Sequence, residues 1–298
     1  GKNVDTIAFW EAPDPMETLM FVTSKGDQLL QVWKYPFKNN QQKPLRHRSF
    51  GRKTQVNGVV IDQQKNLMYV TVSKPVSSVI VFSLPDLAFV REIIRGEKNL
   101  RKEPGIDLLF HKNGETHALV TSDEIVYVYN AETGAFLNEF EPKMSIETVL
   151  TDEFYNVIYL PDENKNKGIF AYNPDWTPYK KNGKNVFGDK RIFQSDGEGI
   201  LLYTIFDSEG KDSGAGLIVA ADQKKKMTDF EFFDRKSWQH LGTLRLRGVS
   251  NTDGIASTQQ AMPDYPMGLF VAINDDKSTA GIGWDKIFAA TGLVGVNE

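Results

Sequence analysis

Carboxylates lie at recurring places along the 298-residue chain, close to short apolar runs. Glu147, Asp196, Glu198 and Asp253 precede such runs. A second set follows them: Lys25, Lys74, Ser122 with Asp123, Asp162 with Glu163, Asp222 with Gln223, and Asn274 with Asp275. Several carboxylates and a few lysines facing one opening would suit a hard cation held by oxygen. Oxygen donors without thiolates favour Ca²⁺ over Zn²⁺. Taken singly, an Asp or Asn beside a strand is more often a turn former, so the signal rests on convergence.

Other chemistry is sparse. The chain has no cysteine, which excludes disulfides, thiolate metal sites and a cysteine nucleophile. Its four histidines, His47, His111, His117 and His240, show no HExxH spacing and read as surface or core residues. No GxSxG elbow, P-loop or GxGxxG stands out. Lys224 to Lys226 reads as a solvated hairpin tip. The net charge of -4 supplies no dominant basic surface, which argues against a nucleic-acid partner. No apolar run is long enough to span a membrane. The chain opens Gly1-Lys2-Asn3 without Met, which reads as a trimmed chain whose export signal has been removed, hence secreted or periplasmic.

The elements that must position these residues are visible as a repeat. A turn, an apolar run and a polar step recur as TLMFVTSK, NLMYVTVSK, THALVTSD, NVIYLPDE, GLIVAADQ and GLFVAIND. With Phe21, Tyr69, Leu119, Tyr159, Val219 and Val271 as equivalent positions, the spacings are 48, 50, 40, 60 and 52. Second strand-like runs follow, such as LLQVWKYP and IVYVYNAETG. Periods of this size with several short strands are the signature of propeller blades. Apolar runs suit strands buried between neighbouring sheets. The expectation is an all-β, six-bladed β-propeller over residues 1–298 as one domain. The N-terminal strand around Asp5 to Trp10 is expected to complete the last blade and close the ring. A large β-sandwich is the competing architecture, but it has no reason to repeat near 50 residues.

The same residues resemble the β-propeller phytases, a calcium-dependent family of six-bladed phosphatases. The strongest stretch holds DGEG (Asp196 to Gly199), FEFFDR (Phe230 to Arg235), SNTDGI (Ser250 to Ile255), YPMGLFVAINDD (Tyr265 to Asp276) and GWDKI (Gly283 to Ile287). DTIAFW (Asp5 to Trp10) and SIETVLTDEFYNVIYLPDEN (Ser145 to Asn164) are similar to two further family segments. Weaker matches lie at Gly51 to Asn57 and Glu103 to Gly105. The resemblance implies a small phosphorylated substrate, Ca²⁺ as cofactor and attack by metal-bound water in a monomer. The implied metal ligands are Asp5, Glu147, Asp162, Glu163, Glu198, Asp253 and Asp275. The implied catalytic residues are Glu198, Lys25 and Lys74.

Departures from the family pattern remove negative charge. Thr6 and Asn251 stand where the family has Asp, and Asn57 sits where an Asp is usual. These changes imply fewer or weaker calcium sites. Two alternatives therefore stay open. One is a lactonase or esterase of the six-bladed type, with one calcium held by Asn and Asp. The other is a non-catalytic propeller that kept the fold as a binding platform.

Overall fold

The computed structural model describes residues 3–37, 43–164 and 167–293. Six antiparallel sheets, each a simple up-and-down meander, are arranged as a six-bladed β-propeller. Blade one holds β1 (Val4–Trp10), β2 (Leu19–Ser24), β3 (Leu29–Lys34) and β4 (Arg46–Ser49). Blade two holds β5 (Gln55–Asp62), β6 (Leu67–Lys74), β7 (Ser78–Ser83) and β8 (Ala88–Arg95). Blade three holds β9 (Ile106–Phe110), β10 (Thr116–Ser122), β11 (Ile125–Asn130) and β12 (Phe136–Phe140). Blade four holds β13 (Leu150–Asp152), β14 (Val157–Pro161), β15 (Ile169–Tyr172) and β16 (Val186–Phe187). Blade five holds β17 (Asp196–Phe206), β18 (Asp212–Gln223), β19 (Asp229–Asp234) and β20 (His240–Leu244). Blade six holds β21 (Ile255–Thr258), β22 (Leu269–Asn274) and β23 (Ser278–Gly283), followed by the helix α1 (Trp284–Thr291).

The six repeated runs are the second strands of the six blades, β2, β6, β10, β14, β18 and β22. They are apolar on both sides because each is sandwiched between two neighbouring blades. The core is correspondingly divided into six clusters, one at each blade interface. Phe21, Val32 and Leu30 meet Val56, Met68 and Phe82 between blades one and two. Tyr159, Ile169 and Phe187 meet Ile218, Phe233 and Trp238 between blades four and five.

Ring closure differs from the expectation. β1 does not extend blade six; it pairs antiparallel with β2 as the innermost strand of blade one. The link between β1 and β2 is short, so local pairing wins over a partner at the far end of the chain. Blade six keeps three strands. The ring is sealed by side chains instead: Val4, Ile7 and Phe9 pack against Ala256, Val271 and Ile273. One backbone bond crosses the seam, from Val4 N–H to the Asp276 carbonyl at 2.9 Å. The final motif GWDKI opens α1, where Trp284 and Ile287 are fully buried against blades five and six.

A buried ion pair ties blade four to blade five. The fully buried Arg235 guanidinium donates to both oxygens of Asp152, at 2.8 and 2.6 Å, and to both oxygens of Asp212. Such forked pairing is what makes a buried charge tolerable.

Candidate functional site

The innermost strands β1, β5, β9, β13, β17 and β21 line a central channel of about 310 Å³. At one mouth each blade contributes one inner residue followed by Gly or Thr: Asp5-Thr6, Asn57-Gly58, Pro104-Gly105, Glu147-Thr148, Glu198-Gly199 and Asp253-Gly254. In three blades the strand register breaks there, between Val4 and Ile7, Val56 and Val59, and Gly197 and Ile200. Such bulges turn a side chain away from the regular pleat, which places Asp5, Asn57 and Glu198 at the rim.

The small residue that follows lets adjacent blades touch through their backbones. A Cβ on Gly254 would lie 2.5 Å from the Asp5 carbonyl oxygen, and one on Gly105 would run into that of Glu147. Where Thr replaces Gly, it bonds instead: Thr148 Oγ1 donates to the Glu198 carbonyl at 2.9 Å. Threonines of the repeated second strands buckle the same belt. Thr71 Oγ1 accepts from Gly58 N–H at 2.7 Å and donates to the Pro104 carbonyl. Thr121 Oγ1 accepts from Gly105 N–H at 2.7 Å and donates to the Glu147 carbonyl at 2.7 Å. The VTS and VTVS steps of the sequence are thus structural fasteners that hold the rim residues in place.

Four of the expected ligands line this one channel: Asp5, Glu147, Glu198 and Asp253. Glu103, which the sequence reading did not select, joins them. Carboxylate oxygens of Asp5, Glu103 and Asp253 lie within 4.8 Å of one another. Lys25 reaches across the group, 2.9 Å from Asp5 and in contact with Glu103. Burial opposes the Lys25 charge, but the two carboxylates outweigh it and hold the ammonium above its ordinary pKa.

The remaining carboxylates are held in an energetically poor state. Burial, with only partial relief from Lys25, pushes Asp5 up to about 6. Burial and then the charges of Glu163, Glu103 and Asp5 push Glu147 up to about 9. Burial and then Asp276 push Asp253 up to about 8. Glu198 is raised well above the usual carboxylate range by burial, then by Glu147, Glu163 and Asp253. Like charges gathered in a place that excludes water account for all four shifts.

Glu163 stands one step out. It accepts from Ser145 Oγ at 3.0 Å and lies 3.8 Å from Lys102 Nζ, while its Oε1 is buried without a partner. Asp162 is engaged locally, accepting from the backbone N–H and side-chain amide of Asn164 at 2.9 and 2.7 Å. Asp275 is exposed and pairs with Lys277, whereas its neighbour Asp276 meets Asp253 and leaves its Oδ1 buried and unpartnered. Two consecutive residues with φ near +50° make this turn, and the turn decides which of the two faces the axis. Lys74 ends β6 as an exposed side chain, beside Ser73, whose hydroxyl donates to Asn57 Oδ1 at 2.9 Å. Glu103 carries a faint signal in the sequence, since it sits two residues before the Gly of its blade. Nothing in the sequence separates Asp276 from Asp275.

A second acidic group, Asp222, Asp229 and Glu231, is of a different kind. Lys224 pairs with Asp222 and Asp229 at 2.8 and 2.7 Å. Arg245 forks onto Asp229, His240 meets Glu231 at 2.7 Å, and Ser195 N–H donates to Asp222. Those charges are already matched by protein groups. The excess of unmatched carboxylates is found at the channel mouth.

The family model for phytase matches residues 108–291, more than half of the chain. The chain belongs to the phytase family. The matched span contains Glu147, Asp162, Glu163, Glu198, Asp253 and Asp275, while Asp5, Lys25 and Lys74 precede it. No curated protein sequence matches the chain significantly. Among solved structures, the fold is similar to one in the nidogen/laminin complex, with a TM-score of 0.60, 16% identity, and 90% of this chain and 89% of that one covered. It is also similar to one in the crystal structure of BBS1N in complex with ARL6DN, with a TM-score of 0.55, 9% identity, and 94% of this chain and 77% of that one covered. At such identities these likenesses speak for the propeller alone. The assignment to the phytase family rests on the family match, whose span includes Glu147, Glu198 and Asp253 of the acidic rim.

Proposed function

We propose that this chain is a calcium-dependent phosphomonoester hydrolase that works at the acidic mouth of the channel, on phytate or another small phosphorylated molecule. The observation that carries the reading is the charge imbalance there: Asp5, Glu103, Glu147, Glu198 and Asp253 converge, and among the described residues Lys25 is the ammonium in contact with them. The donor set fits calcium, because all of it is carboxylate oxygen and Glu163 and Asp276 hold buried oxygens without a partner. Asp5, Glu103, Glu147, Glu198 and Asp253 would hold the metal, with Glu163 and Asp276 beside them. Bound calcium would supply positive charge to a phosphoryl oxygen and lower the pKa of a water molecule.

The chain's own residues do the rest. Lys25 carries the positive charge that steadies a phosphomonoester dianion against the carboxylates around it. Glu198, ionised when the metal is held, is suited to accept a proton at the reacting oxygen. The bond from Thr148 to the Glu198 carbonyl anchors Glu198 on β17, and Lys25, just after β2, is tied by its backbone N–H to the Asn3 carbonyl at 2.8 Å, which preserves their spacing. Lys74, exposed at the end of β6, is assigned in this reading to the distal part of an anionic substrate. We read the six blades as one domain over residues 1–298, monomeric and exported to the periplasm or beyond. Among the described residues no helix is long and apolar enough to cross a membrane.

The test is phosphate release from phytate and from a generic aryl phosphate, with millimolar calcium and with EDTA. Release in calcium, lost in EDTA and in Glu198→Gln with Asp253→Asn, is the expected result. Absence of turnover on both substrates in calcium would refute the hydrolase. Lactone panels in the same assay separate it from the lactonase alternative.

A further inference from the structure

The opposite end of blade three carries a second arrangement of ligand atoms, with different chemistry. His111 follows β9 and His117 is the second residue of β10, so the hairpin turn between them brings both rings together. His111 Nε2 and His117 Nδ1 are 2.9 Å apart, and the ring centroids are 4.1 Å apart. The turn is fixed by backbone bonds from His111 N–H to the Glu115 carbonyl at 2.8 Å and from Gly114 N–H to the His111 carbonyl at 2.9 Å. The other nitrogen of His117, Nε2, lies 4.0 Å from the Glu115 carboxylate. Five further residues of β10, Ala118 to Ser122, separate this pair from the acidic mouth. At about 3.3 Å per residue that is roughly 17 Å.

We propose that His111 and His117 form a binding site for a nitrogen-seeking divalent transition ion such as Zn²⁺, Ni²⁺ or Cu²⁺, separate from the acidic channel mouth. The spacing suits the role. Metal–imidazole bonds of about 2.0 to 2.1 Å at a right angle place the two nitrogens about 2.9 Å apart, and a tetrahedral angle requires about 3.3 Å. The observed separation therefore matches cis positions and is a little short of a tetrahedral pair, and the ion would replace the hydrogen bond that the two rings now share. Glu115, 4.0 Å from Nε2 and also bonded to Asn113, is near enough for its charge to favour the tautomer with the proton on Nε2 and a lone pair on Nδ1. On binding, His111 shifts its single ring proton from Nε2 to Nδ1 and stays neutral, and no electrons are transferred. Water completes the coordination. Imidazole nitrogens do not compete for calcium, so the two sites are chemically orthogonal.

The experiment titrates Zn²⁺ and Ni²⁺ separately into the full chain, without an affinity tag and in excess calcium, by calorimetry. One equivalent of saturable binding is expected. It should weaken by more than about tenfold in His111→Gln and in His117→Gln, and by about tenfold in Glu115→Gln. Thermal melting of each variant confirms its fold, and Cu²⁺ paramagnetic resonance should report two equatorial nitrogens. His240→Ala and Glu198→Gln should leave the binding as it is. No saturable binding, or binding that survives both histidine substitutions, would overturn the site whatever the outcome for phosphate release.

Discussion

Raising the pH should loosen the metal-free protein and, over the same range, tighten its hold on calcium. In the folded chain Glu147 titrates at about 9 and Asp253 at about 8, both because of burial and neighbouring carboxylates. The unfolded chain restores ordinary values near 4. A carboxyl raised on folding favours the native state while protonated. That stability is whole below the unfolded value and drains away as the pH climbs toward the folded one. Between pH 6 and 8, two such groups at about 1.4 kcal/mol per pH unit each set a ceiling of about 5 kcal/mol. Water entering the mouth screens part of this, which leaves a few kcal/mol and a fall in melting temperature of roughly 5 to 10 °C. Calcium reverses the trend. At pH 7 both groups are mostly protonated, so the metal must expel at least two protons, and its affinity should rise at least about a hundredfold per pH unit. Melting in EDTA at pH 6 and 8, with calcium calorimetry in two buffers of different ionisation enthalpy, measures both quantities. Equal melting temperatures in EDTA, or calcium binding without proton release, would refute the charge argument. Glu198→Gln should raise the melting temperature of the metal-free protein at pH 8, because it removes one member of the crowded set.

Two predictions concern the scaffold. Arg235→Met strands the buried Asp152 carboxylate and should cost about 3 to 5 kcal/mol in urea denaturation, while Arg235→Met with Asp152→Leu should recover most of the loss. Gly105→Ala drives a methyl group into the Glu147 carbonyl and should cost about 1 to 3 kcal/mol in thermal melts. Its calcium affinity should fall with it, since the displaced carbonyl belongs to a rim residue; unchanged affinity would show that the belt does not position Glu147.

The sequence alone carried the architecture, because a propeller repeats one local unit. Each second strand must be apolar on both faces, so Phe21, Tyr69, Leu119, Tyr159, Val219 and Val271 announce six blades without any long-range information. The acids that sit beside Gly or Thr, Glu147, Glu198 and Asp253, were legible for the same reason, since every blade presents its rim residue at the same step. What pairs across the ring was decided only by the tertiary structure. β1 could have joined either end of the ring, and its short connection to β2 settled it. Glu103 enters the site because Lys25 of another blade meets it, a contact between residues far apart in the chain. Asp276 rather than Asp275 turns inward because of backbone angles in one tight turn. The raised pKa values are likewise collective: each carboxyl is unremarkable in sequence and becomes costly when ring closure buries it beside the others.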